Sequence, residues 1–318
     1  MALNPNIFVY GLGVDDVKGT FHTTIDLHHD YPERVFDMPT SENAMLGVGL
    51  GASLNGMVPV MTHQRLDFFL LAMDQLVNNI AKWKFMFGTS RPTPMVIRLI
   101  IGRGWGQGPT HSQSLQSWFA HVPGLKVVMP TFPDAISGLL RTALRGEDPV
   151  LFLEHRWLYD LQGEMNEPLL MGRARVAKTG TKLTIVSLSY MTLEALRADI
   201  DADVIDLQSI RPLDMETVFK SVLKTGRLLV LDPANPVCSV SSEIISRVSM
   251  EGLPLKTTPR RLTFPDSPCP TSYELSKNYY TTTNDVIRTY NEMCNENKPL
   301  VAERVPHDVP GDWFRGPF

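Results

Sequence analysis

Cysteine is scarce in this chain: 318 residues carry three, Cys238, Cys269 and Cys294. An odd number without CxxC spacing excludes a disulfide framework and a cysteine-based zinc site, and a reducing compartment is the expectation. Excess positive charge is also lacking. Thirty lysines and arginines face 34 acidic residues, a net charge of −4. With no basic run, the chain has little to offer a nucleic-acid partner held by phosphate contacts. No apolar run is long enough to cross a bilayer; Phe68–Met73 stops at Asp74. The strand-like Ile7-Phe8-Val9-Tyr10 comes so early that no signal peptide is expected, and the expected location is the cytoplasm. The glycine strings Gly47-Val48-Gly49-Leu50-Gly51 and Gly102–Gly108 miss the GxGxxG spacing, and neither carries a P-loop Lys-Ser/Thr. A dinucleotide site of the Rossmann type and an NTPase are therefore excluded. No Gly-x-Ser-x-Gly or Cys/His nucleophile pattern occurs.

What is present reads as a globular α/β chain. The length suits two domains, and 43% apolar with 20% charged residues is ordinary for packed cores. Short Val/Ile-rich runs without alternation predict strands covered on both faces, near 6–10, 57–62, 94–101, 124–129 and 150–154. Helical patterns fall near 42–55, 67–84, 112–121 and 133–145, with Pro133 suited to a first turn. Residues 156–180 are irregular and hold the junction. The rhythm then repeats: strands at 182–188, 203–207 and 227–231, helices at 190–199, 214–224, 238–251 and 284–295. Ile210–Asp214 reads as a loop. The expected division is a first domain over 1–165, a second over 175–297, and an irregular tail over 298–318 suited to lying across a partner.

A few side chains stand out. Glu42 opens a glycine-rich apolar helix after Thr40-Ser41, either of which suits a cap. It reads either as a first-turn acid answering the helix dipole or as a ligand-gripping carboxylate. Gly47, Gly49, Gly51 and Ala52 permit close approach of a ligand, or close packing of helix on sheet. His111, in Thr110-His111-Ser112-Gln113, is either an exposed residue before a helix or a catalytic imidazole. His28, His29 and His121 have no ligand-like companions.

Several segments together resemble the β subunit of the thiamine-diphosphate-dependent 2-oxoacid dehydrogenase component, as in pyruvate, branched-chain and acetoin systems. They are Thr40-Ser41-Glu42, Ala72-Met73-Asp74-Gln75-Leu76-Val77-Asn78, His111-Ser112-Gln113, Pro123–Val128 with Pro130, Ile210–Thr217 and Pro268–Tyr273. The resemblance covers about residues 5–295. It implies two three-layer domains, a pyrimidine-binding thiamine-diphosphate fold and a transketolase C-terminal-like domain. The Gly-Asp-Gly with an Asn pair that holds the cofactor's diphosphate and Mg2+ is absent. The resemblance therefore implies an α subunit that carries it, a β–β dimer and an α2β2 heterotetramer. Glu42 falls where the family's carboxylate meets N1′ of the aminopyrimidine, Phe68 where an aromatic ring packs on it, His111 on an active-site histidine, and Gln64 on a pocket glutamine. The family's chemistry needs a carboxylate that shares a proton with N1′, so that the cofactor can deprotonate its own thiazolium carbon. Carbonyls at the turn Ala143–Asp148, with Ala143, Gly146 and Asp148, match a family site for a monovalent cation such as K+.

The chain also departs from these relatives. His63-Gln64-Arg65 replaces a more apolar stretch and suggests a polar or anionic substrate near His63, Arg65 and His111; a solvent-facing strand end is the alternative. The Trp105 loop and the 298–318 tail are unlike the common members, which weakens the case for a lipoyl-carrying acyltransferase partner. The leading expectation is decarboxylation of a 2-oxoacid and transfer of the acyl or aldehyde unit. The alternatives are half of a split transketolase-like enzyme that moves a ketol unit between sugars, and a non-catalytic structural subunit.

Overall fold

The computed structural model describes residues 1–88, 92–104, 106–165 and 168–302. Trp105 and most of the expected tail lie outside the described residues. The first sheet contains β1 (Ile7–Gly11), β2 (Val35–Asp37), β3 (Val58–His63), β4 (Met95–Ile101), β5 (Lys126–Val128) and β6 (Pro149–His155), all parallel. Every residue of β1, β3, β4 and β6 is buried. That burial is why these runs are mostly apolar and do not alternate, with Arg98, Glu154 and the strand-end His63 and His155 among the buried exceptions. The second sheet is built from β7 (Arg175–Lys178), β8 (Leu183–Ser187), β9 (Ala202–Asp206), β11 (Leu228–Leu231) and β12 (Arg260–Leu262). One more strand, β10 (Ser209–Arg211), leaves the second half of the chain and pairs antiparallel with β5, closing the edge of the first sheet. The orders are β10-β5-β6-β4-β3-β1-β2 and β12-β11-β8-β9-β7.

The helices are α1 (Leu27–Asp30), α2 (Glu42–Leu54), α3 (Leu66–Phe69), α4 (Trp83–Phe87), α5 (Gln116–His121) and α6 (Pro133–Arg145) in the first half. In the second half they are α7 (Tyr190–Arg197), α8 (Met215–Thr225), α9 (Val240–Met250), α10 (Tyr273–Ser276) and α11 (Thr283–Cys294). No helix among the described residues is long and apolar enough to cross a membrane. One apolar core runs without a break from Met45, Phe69 and Val127 to Ile205, Leu207 and Val218, so the two sheets share an interior.

Three expectations change. The helix expected over 67–84 is broken into α3, a tight turn at Leu70–Ala72, a widened π turn at Asp74–Asn79, another tight turn at Ile80–Lys82, and α4. Leu66, Phe69, Ala72, Leu76 and Ile80 are all buried. Their spacing moves from three to four, and the widened turn keeps Leu76 and Ile80 on the core side. The helix expected from 112 starts only at Gln116, after a single tight turn at Pro109–His111. Ile210–Asp214, expected as a loop, begins inside β10, because Arg211 pairs with Val127.

Candidate functional site

The chain passes from β1 to β2 on one side, then through α2 to β3 on the other side of β1. Such a reversal leaves a crevice at the carboxyl ends of β1 and β3, where ligands of open α/β sheets bind. Gln64 spans it, donating from Nε2 to the Leu12 carbonyl at 3.3 Å.

Glu42 begins α2 at this edge and is only 7% exposed. Ser41, expected as a cap, makes no side-chain capping bond. Among the described residues no donor bonds the Glu42 carboxylate, and its oxygens are not sealed from solvent. The helix behind it is fixed by Met45, Leu46 and Leu50 in the core and by Tyr10, whose hydroxyl donates to the Met45 carbonyl at 3.1 Å. Gly49 serves packing: a Cβ there would collide with the Tyr10 hydroxyl. Gly51 faces open space. Close packing of helix on sheet, one of the two readings the sequence allowed, therefore holds at Gly49.

Phe68 and His111 meet edge to face, with ring centres 5.3 Å apart at 88°. Phe68 keeps 40% of its surface exposed, so a flat apolar face stays open beside the imidazole. Asp67 fixes the approach, accepting from Gln113 N at 3.2 Å and Gln113 Nε2 at 2.9 Å. Those bonds hold the 111–113 segment against α3. His111 Nδ1 shares a hydrogen bond with Thr110 Oγ1 at 3.0 Å.

His63 and Arg65 are not a solvent-facing strand end. His63 is 1% exposed, with its ring 5.2 Å from that of Phe69. Burial pulls its pKa down to about 4, so the ring is neutral at physiological pH and offers no charge to a substrate. Arg65 is 3% exposed and donates to the Gly102 carbonyl at 2.7 Å and to Gln107 Oε1. At the candidate cation turn, Gly146 N already donates to the Ala143 carbonyl at 3.2 Å. The Asp148 carboxylate is held by Lys84 at 2.8 Å and Lys126 at 2.9 Å. A cation there would rest on carbonyl oxygens, not on that side chain.

Sequence reasoning passed over several buried polar groups. Arg98 and Glu154 form a two-point ion pair at 2.6 and 2.8 Å between neighbouring strands, and Tyr159 donates to Glu154 at 3.1 Å. Arg98 inside Val96-Ile97-Arg98-Leu99 was the visible signal. Asp206, wholly buried, accepts from Thr131 Oγ1 at 2.9 Å, and burial pushes its pKa up to about 7. Arg156 and Phe21 lie beside Arg65 and gave no signal in the sequence.

Comparison with known proteins places these features in a family. Residues 1–162 match the model for the transketolase pyrimidine-binding domain and residues 172–287 that for the transketolase C-terminal domain. The chain is 38% identical over 286 residues to the acetoin:2,6-dichlorophenolindophenol oxidoreductase subunit beta of Cupriavidus necator, covering 85% of each chain. It is 35% identical to the mitochondrial pyruvate dehydrogenase E1 component subunit beta-1 of Arabidopsis thaliana, covering 94% of this chain and 86% of that one. A solved structure described as a split gene transketolase, an inactive beta4 tetramer, superposes with a TM-score of 0.75 at 23% identity, over 92% of this chain and 93% of that one. At that identity the superposition speaks for the fold.

Proposed function

This chain is a member of the transketolase-type family, among the β subunits of thiamine-diphosphate-dependent 2-oxoacid dehydrogenase components, and from that premise we propose that it helps an α subunit decarboxylate a 2-oxoacid and pass on the acyl or aldehyde unit. The carrying observation is Glu42: a side chain only 7% exposed, whose carboxylate has no donor among the described residues and stays accessible at a strand-edge crevice. The exposed face of Phe68 stands ready for a flat ring. These residues fit the aminopyrimidine half of thiamine diphosphate. When bound, that cofactor supplies the nucleophilic carbon and the electron sink that decarboxylation needs.

The chain's own residues have separate tasks. Glu42 holds a proton at the pyrimidine ring nitrogen and takes it back; a carboxylate in a dry setting does this with a short, strong hydrogen bond. Phe68 covers the ring and excludes water, which strengthens that contact. His111, edge-on to Phe68, is placed to donate a proton or hydrogen bond to the substrate's carbonyl oxygen. Gln64 orients polar groups across the crevice. The diphosphate and Mg2+ are assigned to the α subunit, and K+ to the carbonyls at Ala143–Asp148. The domain division is placed at 1–165 and 175–297, and the location in the cytoplasm.

The test uses the α/β assembly. Glu42→Gln should cut carbon dioxide release from a 2-oxoacid by about 100-fold or more, the usual reach of a lost proton-transfer group. Assembly, followed by light scattering, should be unchanged. Near-normal turnover by a correctly assembled variant overturns the assignment. Ketol transfer from a ketose without carbon dioxide release would favour the transketolase-like alternative.

A further inference from the structure

Three arginines follow adjacent strands at the carboxyl edge of the first sheet, Arg65, Arg103 and Arg156, and no acid among the described residues bonds Arg65 or Arg156. Arg65 follows β3 and Arg156 follows β6, with β4 between those strands. The Phe21 ring lies over both, 5.5 Å from Arg65 Cζ and 4.8 Å from Arg156 Cζ. Arg65 donates only to neutral oxygens, the Gly102 carbonyl and Gln107 Oε1. Gln107 Oε1 also accepts from Gly104 N at 2.7 Å. Arg156 Nη1 is sealed from solvent and has no hydrogen-bond partner among the described residues. It lies against Gly104, where any Cβ would strike it.

The charges are not balanced locally. The Asp67 carboxylate acts on Arg65 from nearby, and its Oδ1 is already engaged by Gln113. No described carboxylate offsets Arg156. Burial, and then the neighbouring Arg156, bring Arg65 down to about 10. A buried cation with a second, partly buried one beside it is costly unless an anion joins them. The chain does provide such a partner elsewhere on the same sheet, where Arg98 has Glu154. The covering segment is itself unusual. Gly19, Phe21, His22 and Asp26 all have positive φ, between 47° and 63°. Three of those four are not glycine, and such backbone strain persists where surrounding contacts enforce it.

We propose that Arg65 and Arg156 form an oxyanion site that receives a second acidic group of the substrate, a carboxylate or a phosphate. Planar guanidinium forks match both groups in two-point contacts. Phe68 follows Arg65 by three residues, so the site lies on the same edge as the proposed reaction centre. The inference rests on the functional reading above for the identity of the substrate as a 2-oxoacid, but the anion site itself does not.

The experiment has two parts. The full-length chain is titrated calorimetrically with inorganic phosphate and with 2-oxoglutarate. Arg156→Gln, which removes no observed hydrogen bond, should weaken both by at least tenfold; Arg156→Lys should recover part of the loss. Arg65→Gln is the second variant, with thermal unfolding to confirm that it folds. The α/β assembly is then given pyruvate, 2-oxoglutarate and 3-phosphohydroxypyruvate. At least one doubly anionic acid should be preferred over pyruvate by tenfold or more in kcat/KM, chiefly through KM, and Arg156→Gln should erase the preference. The preferred acid tells carboxylate from phosphate. If no 2-oxoacid releases carbon dioxide while Arg156→Gln still abolishes anion binding, the decarboxylation reading fails and the anion site stands. If wild type and Arg156→Gln bind both anions equally, or neither binds to wild type, the site is overturned. Equal use of all three acids by both proteins would overturn it as well.

Discussion

His63, at the end of β3, and Asp206, at the end of β9, are buried side chains that respond to pH in opposite senses. The His63 ring titrates near 4 in place of its usual 6.5, because burial disfavours the charged ring. Unfolded chains take up that proton below 6.5 while the native chain refuses it. The stability His63 contributes is therefore present above pH 6.5 and is lost as pH falls toward 4. Asp206 titrates near 7 in place of 3.8, again through burial. Its contribution is fully present below 3.8 and is lost as pH rises through 7. Each limb approaches a slope of about 1.4 kcal/mol per pH unit. His63→Gln should flatten the acid limb of stability between pH 6.5 and 4, and Asp206→Asn the limb between 4 and 7, both read by urea unfolding across pH. Parallel curves for wild type and variant would show that the group in question does not titrate as its burial implies. Residue-scale legibility was uneven for a physical reason. Glu42 and His111 each carried two readings in the sequence, and Phe68 stood out only through the family resemblance. Arg156 and Phe21 acquire their meaning only from Arg65, more than forty residues from each along the chain.

At the scale of elements, two glycines of α2 sit in different surroundings. Gly49 is pressed on Tyr10 and Met95, whereas a methyl group at Gly51 would meet nothing within 4 Å. Gly49→Ala should cost about 1–3 kcal/mol through overpacking. Gly51→Ala should stabilise the isolated chain by about 0.5–1 kcal/mol, the ordinary helix preference of alanine. Thermal unfolding of the two variants checks both signs, and a destabilising Gly51→Ala would mean that this face is not open. Helices α2 and α6 were legible almost to the residue, because each has one long buried stripe and a clear start. The 66–87 stretch was not, since its apolar residues exceed what one helical face can bury. Leu71 and Phe85 are left 68% and 93% exposed. The short strands β2, β7, β10 and β12 were missed or read as loop. Strands of three or four residues, all four of them at sheet edges, carry too few buried positions to show a pattern.

The whole molecule holds its two sheets together and leaves several large apolar side chains uncovered. Thr131 donates to Asp206 at 2.9 Å, Gln116 to Asp232 at 2.9 Å and Arg103 to the Thr271 carbonyl at 2.6 Å. With β10 added to the first sheet and the core shared, the halves are expected to unfold together. Against that closed interior, Val48, Leu71, Phe85, Phe87 and Trp118 are each about half exposed or more. Large exposed apolar side chains on α2, the broken helix and α5 are what a subunit contact requires, and relatives in this family are β subunits. Leu71→Asp and Phe85→Asp test that role. Neither side chain is in the core, so each variant should unfold within about 0.5 kcal/mol of wild type. Association with the α subunit, or between β chains, should weaken at least tenfold, as loss of a central apolar anchor does. Sedimentation of the purified assembly separates the outcomes. A smaller particle with unchanged unfolding places these side chains in the contact, while an unchanged particle would leave this face to solvent and require the other half of the active site to arrive from elsewhere.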